Sequence, residues 1–183
     1  MTRRRRVGGV VAGALSVCTA VAGCSPITVA VPGSGPPATT GEEVTVTNIV
    51  DGDTVDVTTT SGDTVRVRLI GIDTPETVEP GAAVQCWGPE ATAYADMYLD
   101  GQTVTMNADP TGDDVDDYGR LLRYLTLADG ADYSVIAADA GMARAYIFDE
   151  SHPPVMASQI ANGEYQARVT GRGLWGPPCN GDT

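Results

Sequence analysis

The chain has 183 residues, 42% apolar and 19% charged, the mix expected of one globular domain with extra segments. Its formal charge is −13, with 24 acidic residues against 11 basic ones, and every basic residue is arginine. An excess this acidic argues against a protein that grips nucleic acid by general attraction to phosphate.

The first element in chain order reads as an export signal. Arg3, Arg4, Arg5 and Arg6 form a basic head, and residues 7–21 are small, apolar and uncharged. That run is too short to span a bilayer comfortably and has a signal-peptide layout. The stretch "VAGC" at 21–24 resembles the lipobox of bacterial lipoproteins. The resemblance implies that residues 1–23 are removed and that Cys24 becomes a lipid-modified N-terminus, anchored to the outer face of the bacterial cell membrane. The alternative is an ordinary signal peptide with Cys24 near the cut by chance. The Thr2-Arg3-Arg4 start leaves the export route open. All 24 acidic residues follow Cys24 but only seven arginines do, so removal of the signal makes the chain still more acidic.

Residues 24–42 form the expected lipid anchor and a tether rich in Pro, Gly, Ser and Thr, with no core-forming period. The domain is expected over 43–179, followed by a short tail at 180–183. From Glu43 the texture alternates. "VTVTNIV", "TVDVTTT" and "TVRVRLI" read as three half-buried strands, the last two joined by a Ser61-Gly62-Asp63 turn. In the third, Val65, Val67 and Leu69 share one face and Arg66 and Arg68 the other. A helix follows, with Pro89 in its first turn, Gly101 at its end, and an apolar stripe of Ala91, Tyr94, Ala95, Tyr98 and Leu99. "QTVTM" and "LLRYLTL" read as two more strands. "YSVIAADAG" reads as a short helix with Ser134 as N-cap and Gly141 as stop, and residues 153–171 as a third helix weakened by Gly163. Five strands with a helix between the third and fourth is the layout of an OB-fold barrel, here an α+β domain with three helices. Pattern alone leaves other α+β folds open.

Two cysteines remain after Cys18 and Cys24: Cys86 and Cys179. In an exported domain such a pair is expected to bridge, adding about 2–4 kcal/mol; two free thiols are the alternative. No nearby Cys or His completes a zinc-type site.

Four segments carry candidate chemistry: "DGDTV" at 51–55, "RLIGIDTPET" at 68–77, "DDYGRLLRY" at 116–124 and "GMARAYIF" at 141–148. They supply carboxylates (Asp51, Asp53, Asp73, Glu76) and arginines (Arg68, Arg120). Carboxylates without clustered His or Cys suit a hard cation such as Ca²⁺ or Mg²⁺. Guanidinium groups beside such a site suit phosphate, and a further carboxylate can orient or deprotonate a water. Each segment alone also reads as an ordinary turn or surface strand.

Together, "VDGDTV", "DTPE", "WGPEA", "YGR" and a late "GLW" resemble the staphylococcal nuclease (thermonuclease) family over about residues 44–176. The resemblance implies an OB-type barrel with three helices and Ca²⁺-dependent cleavage of DNA and RNA, leaving 3′-phosphate and 5′-hydroxyl ends. It implies that Asp53 and Asp73 hold Ca²⁺ by their side chains and Thr74 by its backbone carbonyl, with Asp51 behind them. It makes Arg68 and Arg120 phosphate-binding catalytic groups, and Glu76 the general base or water-orienting residue. Tyr118 and Tyr146 would line the nucleotide pocket. Two positions depart from the family pattern: Asp117 stands where a basic residue is expected, and Phe148 replaces a second pocket tyrosine. Both put nucleotide affinity in question rather than hydrolysis. His152, the single histidine, reads as surface; Trp87 and Trp175 read as packing anchors beside the two cysteines. The expected protein is a monomeric nuclease. A non-catalytic OB-fold module binding nucleic acid or protein is the alternative, and a Ca²⁺-binding envelope protein would leave both arginines unexplained.

Overall fold

The computed structural model of the protein describes residues 41–77, 81 and 83–183. The expected signal peptide, Cys24 and residues 24–40 of the tether lie outside the described residues. Within them the chain runs β1 (Glu42–Ile49), β2 (Thr54–Thr58), β3 (Thr64–Leu69), β4 (Ile72–Asp73), α1 (Gly88–Leu99), β5 (Thr103–Asn107), β6 (Leu121–Thr126), α2 (Tyr133–Ala140), β7 (Arg144–Ala145) and α3 (Ala157–Thr170). A 3₁₀ turn, Gly173–Trp175, precedes the C-terminus. Among the described residues no helix is long and apolar enough to cross a membrane.

The five expected strands close into a barrel in the order β1-β2-β3-β6-β5. Strand β1 serves both ends of the closure, pairing antiparallel with β2 and with β5; its register shifts between Val46 and Asn48. Such a bulge bends a strand so that it can turn from one neighbour to the next. Alternation decides what fills the barrel. Val44, Val46, Val55, Val57, Val67, Leu69, Met106 and Leu125 are all buried, each worth about 1.5–3 kcal/mol relative to exposure. Arg66 and Arg68 take the outer face of β3, as the alternation predicts.

Strands β3 and β6 are parallel, with Arg68 beside Leu122. Arg120 directly precedes β6, and both arginines line one groove. The sequence pattern omits β4 and β7, two-residue strands that pair Asp73 with Arg144. Two residues are too few to show a period.

Two expectations for the helices need correction. The N-cap of α2 is Asp132, whose carboxylate accepts the Val135 N–H, and not Ser134, which is fully buried inside the first turn. Gly163 does not simply weaken α3. A side chain there would press on the Asp139 and Val135 backbone of α2, at 3.0–3.3 Å, so glycine permits the close α2–α3 approach. The expected Cys86–Cys179 bridge is formed, with Cα atoms 5.8 Å apart and a sequence separation of 93. Trp87 donates its indole N–H to Met142 Sδ at 3.3 Å, and Trp175 lies under Arg168 at 4.0 Å.

Candidate active site

The turn between β1 and β2 is the "DGD" segment. Asp51 Oδ1 accepts the Asp53 N–H at 3.1 Å, and the Asp51 N–H is held by Thr54 O, so the turn folds on its own atoms. Its middle residue has to be small: a Cβ on Gly52 would meet the Thr74 side chain at 2.8 Å. Tyr133 Oη, from α2, donates to the Gly52 carbonyl at 3.2 Å and fixes the turn from the other side.

Asp53 joins that turn to the 73–76 loop. Its Oδ2 accepts both the N–H and the hydroxyl of Thr74, at 2.9 and 3.0 Å, and its Oδ1 lies 3.2 Å from Arg68 Nε. Arg68 is held further by its own surroundings. Nη1 donates to the carbonyls of Leu69 and Ile72, each at 2.9 Å, and Nη2 reaches Asp73 Oδ1 at 3.3 Å. The guanidinium is thus pinned between two carboxylates and two carbonyls at the end of β3.

Charge is out of balance here. Asp51 and Asp53 are buried, and the Asp73 carboxylate is about half exposed. Burial, then the charge of Asp53, lifts the Asp51 carboxyl to about 6, and Glu76 adds to the repulsion. Partial burial and Asp53 also push Asp73 up, against the pull of Arg68 and Arg144. Glu76 sits in the loop after β4, its Oε1 accepting the Thr77 N–H at 2.8 Å. Its charge acts on both Asp51 and Asp73, which places it in the same field.

In the loop before β6, Asp116 organises the "DDYGR" segment. Its Oδ1 accepts the N–H groups of Tyr118 and Arg120, and its Oδ2 takes Arg120 Nε at 2.6 Å. Arg120 lies 5.3 Å from the Tyr118 ring centroid. Arg123, 1% exposed, braces this loop from beneath through Asp114 Oδ1 at 2.7 Å. A groove of about 590 Å³ brings Arg68, Asp73, Tyr118, Arg120, Tyr146 and Phe148 together. Tyr118 and Phe148 are largely exposed. Asp109, Asp113, Asp116, Asp117 and Asp149 line the same groove and give it an acidic rim. Asp51, Asp53, Thr74 and Glu76 are not part of the groove lining.

Sequence reasoning passed over Arg144, which pairs across β7 with Asp73; Asp116, which aims Arg120; and Gln85, whose side chain holds the Glu76 backbone. Asp116, four residues before Arg120, carried a readable signal. Gln85, in a loop without period, carried none.

The residues near Arg68 offer oxygen donors alone, and their mutual repulsion is what a hard divalent cation would relieve. The donor set therefore fits such an ion. Among the described residues no group of three or more His, Cys, Asp or Glu side chains forms a metal-holding cluster. The contact between Thr74 and Asp53 uses the Thr74 N–H and hydroxyl, the donor groups of that residue.

A closed five-stranded barrel with three helices, carrying carboxylates and two arginines at the mouth between β3 and β6, defines an OB-fold protein with a charged surface site. The chain belongs to the staphylococcal nuclease homologue family, whose pattern matches residues 66–177. A Staphylococcus intermedius protein named thermonuclease is 40% identical over 108 residues, covering 59% of this chain and 62% of that protein. Thermonuclease of Staphylococcus hyicus is 32% identical over 130 residues, covering 71% and 73%. The SPbeta prophage-derived endonuclease YokF of Bacillus subtilis (strain 168) is 33% identical over 134 residues, covering 73% of this chain but 44% of its own length. The family match begins after Asp51 and Asp53, yet the fold brings Asp53 against Arg68 and Thr74.

Proposed function

We propose that this protein is an exported, Ca²⁺-dependent phosphodiesterase that cleaves DNA and RNA, leaving 3′-phosphate and 5′-hydroxyl ends. One observation carries the reading: Asp53 and Asp73 pair with Arg68, Thr74 is bonded to Asp53, and Arg120 lines the same groove as Arg68 and Asp73. The names of the relatives, thermonuclease and endonuclease, support the same class of reaction. Asp53 and Asp73 are the side chains to hold the cation, with the Thr74 carbonyl beside them and Asp51 behind. A bound Ca²⁺ supplies charge neutralisation and polarises a phosphoryl oxygen.

The remaining work belongs to the chain. Arg68 and Arg120 grip non-bridging oxygens of the scissile phosphate, where guanidinium forks suit the geometry. Positioned donors at developing negative charge are worth about 3–4 kcal/mol each. Glu76 orients the attacking water and accepts its proton. Tyr118, Tyr146 and Phe148 offer ring faces on which bases stack. The acidic rim, Asp117 included, works against a second phosphate, so KM for nucleic acid is expected to be high and binding to depend strongly on divalent cation. Arg3–Arg6, the apolar run and Cys24 support a lipoprotein held at the outer face of the cell membrane.

The test is direct. The purified protein is incubated with single-stranded DNA, duplex DNA and RNA, in Ca²⁺ and in chelator, beside Glu76→Gln and Arg68→Ala. Cleavage confined to the Ca²⁺ lanes, and lost in both variants, is the expected result. Equal background in every lane overturns the enzyme and leaves the binding-module alternative.

A further inference from the structure

Glu76 stands in a loop, where a carboxylate is hard to aim without support. Its backbone is gripped at both ends by one residue. The Glu76 N–H donates to Gln85 Oε1 at 2.8 Å, and the Gln85 N–H donates to the Glu76 carbonyl at 2.9 Å. Gln85 is in turn tied to the start of α1, its carbonyl accepting the Gly88 N–H at 3.0 Å. Gly88 itself lies close under the loop: a Cβ there would come within 3.1 Å of the Pro75 and Glu76 carbonyls. The residue after Gln85 is Cys86, bridged to Cys179. Cys179 is buried in a segment with its own bonds, Asn180 N–H to Gly176 O and Gly181 N–H to Leu174 O, at 2.8 and 2.7 Å. Between Glu76 and Gln85 the described part of the loop has no buried apolar anchor, and Val84 is 59% exposed.

We infer that Gln85 is a positioning residue for Glu76, and that the Cys86–Cys179 bridge braces Gln85, so that the C-terminal segment helps to aim the water-activating carboxylate. This rests on the reading of Glu76 as the group that handles the attacking water. A displacement of about 1 Å at such a group can cost about 100-fold in rate. Loss of one of several supports is expected to cost less.

The test uses the full chain with three changes: Gln85→Ala, Gln85→Glu, which keeps an acceptor oxygen for the Glu76 N–H, and the pair Cys86→Ser with Cys179→Ser. Two quantities are read well below each variant's melting midpoint: kcat and KM on a fluorogenic single-stranded DNA with Ca²⁺, and amide hydrogen exchange at Glu76. Gln85→Ala is expected to lower kcat about tenfold with KM within about twofold, and to expose the Glu76 amide to exchange. Gln85→Glu restores the amide protection and most of kcat. The cysteine pair shows the same signature more weakly. Combined with Gln85→Ala it adds less than its separate effect, because both act through one clamp. Unchanged exchange at Glu76 in Gln85→Ala overturns the proposal, as does lost protection with full kcat. If the unaltered protein cuts nothing, the nuclease reading fails by itself. Exchange then decides alone: loss of protection in Gln85→Ala and in the cysteine pair upholds the clamp, and its persistence overturns it. The Gln85 variants retain the bridge, so the test survives poor folding of the cysteine pair.

Discussion

Asp109 and Asp51 are both buried, 7% and 8% exposed, yet their carboxyls are pushed in opposite directions. Burial alone raises the pKa of Asp109, but the Thr111 side chain, the Tyr124 hydroxyl and the N–H groups of Thr111 and Val155 outweigh it and hold the group below the usual carboxylate range. Tyr124 donates at 2.7 Å and Val155 at 2.8 Å. Asp51 has one such donor, the Asp53 N–H, and carboxylates for neighbours; its carboxyl rises to about 6. Burial costs both groups. Donors offset the cost at Asp109, which ties β6 to the start of α3. At Asp51 the cost is left standing, as is common where a site awaits a charged ligand.

Arg68→Ala tests that contrast most severely. It removes the cation set between Asp53 and Asp73 and a proposed phosphate ligand. Cleavage is expected to fall about 10²–10³-fold, and titration of Asp73 followed by NMR should move further upward. A loss under tenfold would separate Arg68 from the reaction. Next in size is Asp109→Ala, which leaves the Tyr124, Thr111 and Val155 donors without their acceptor. Denaturant unfolding should show about 2–4 kcal/mol of lost stability; a neutral result would mean that the donors find other partners.

Asp51→Asn should act the opposite way. The folded state holds the Asp51 proton more tightly than the unfolded chain does, so this group's contribution is present below about pH 4 and is lost as pH rises through about 6. In chelator at pH 8 the variant should therefore be more stable than the parent by about 2–3 kcal/mol, with the advantage vanishing toward pH 4. Equal unfolding curves at both pH values would erase the contrast. The smallest effect belongs to Arg66, two residues from Arg68 on the same outer face. Its pair with Asp56, at 2.7 Å, is solvent-exposed. Arg66→Ala should cost no more than about 1 kcal/mol and leave cleavage unchanged in the same assay.

The barrel was legible because its strands are long enough to show alternation and are separated by turn residues. Strands β4 and β7 were not, since two residues make no period, although they set Asp73 opposite Arg144. Arg123, inside "LLRYLTL", was given no role by the pattern, yet it is almost fully buried and pins the Asp114 loop. Ser134 looked like a cap because serine commonly is one, while Asp132 fills that role two residues earlier. At the site, Arg68, Asp73 and Arg120 could be read from short segments, and the parallel β3–β6 pairing explains why they meet. Gln85 could not be read, because its contact with Glu76 is made within a loop that has no period.

The central claim is that the carboxylates around Arg68 form a cation-dependent site. Calorimetric titration of the metal-free protein with Ca²⁺ at pH 6, repeated in buffers of different ionisation enthalpy, addresses it without a substrate. The account predicts binding accompanied by net proton release, since Asp51 and Asp73 titrate above the ordinary range, and weaker binding in Asp73→Asn. Absence of binding at millimolar Ca²⁺, or binding unaffected by Asp73→Asn and without proton release, would contradict it.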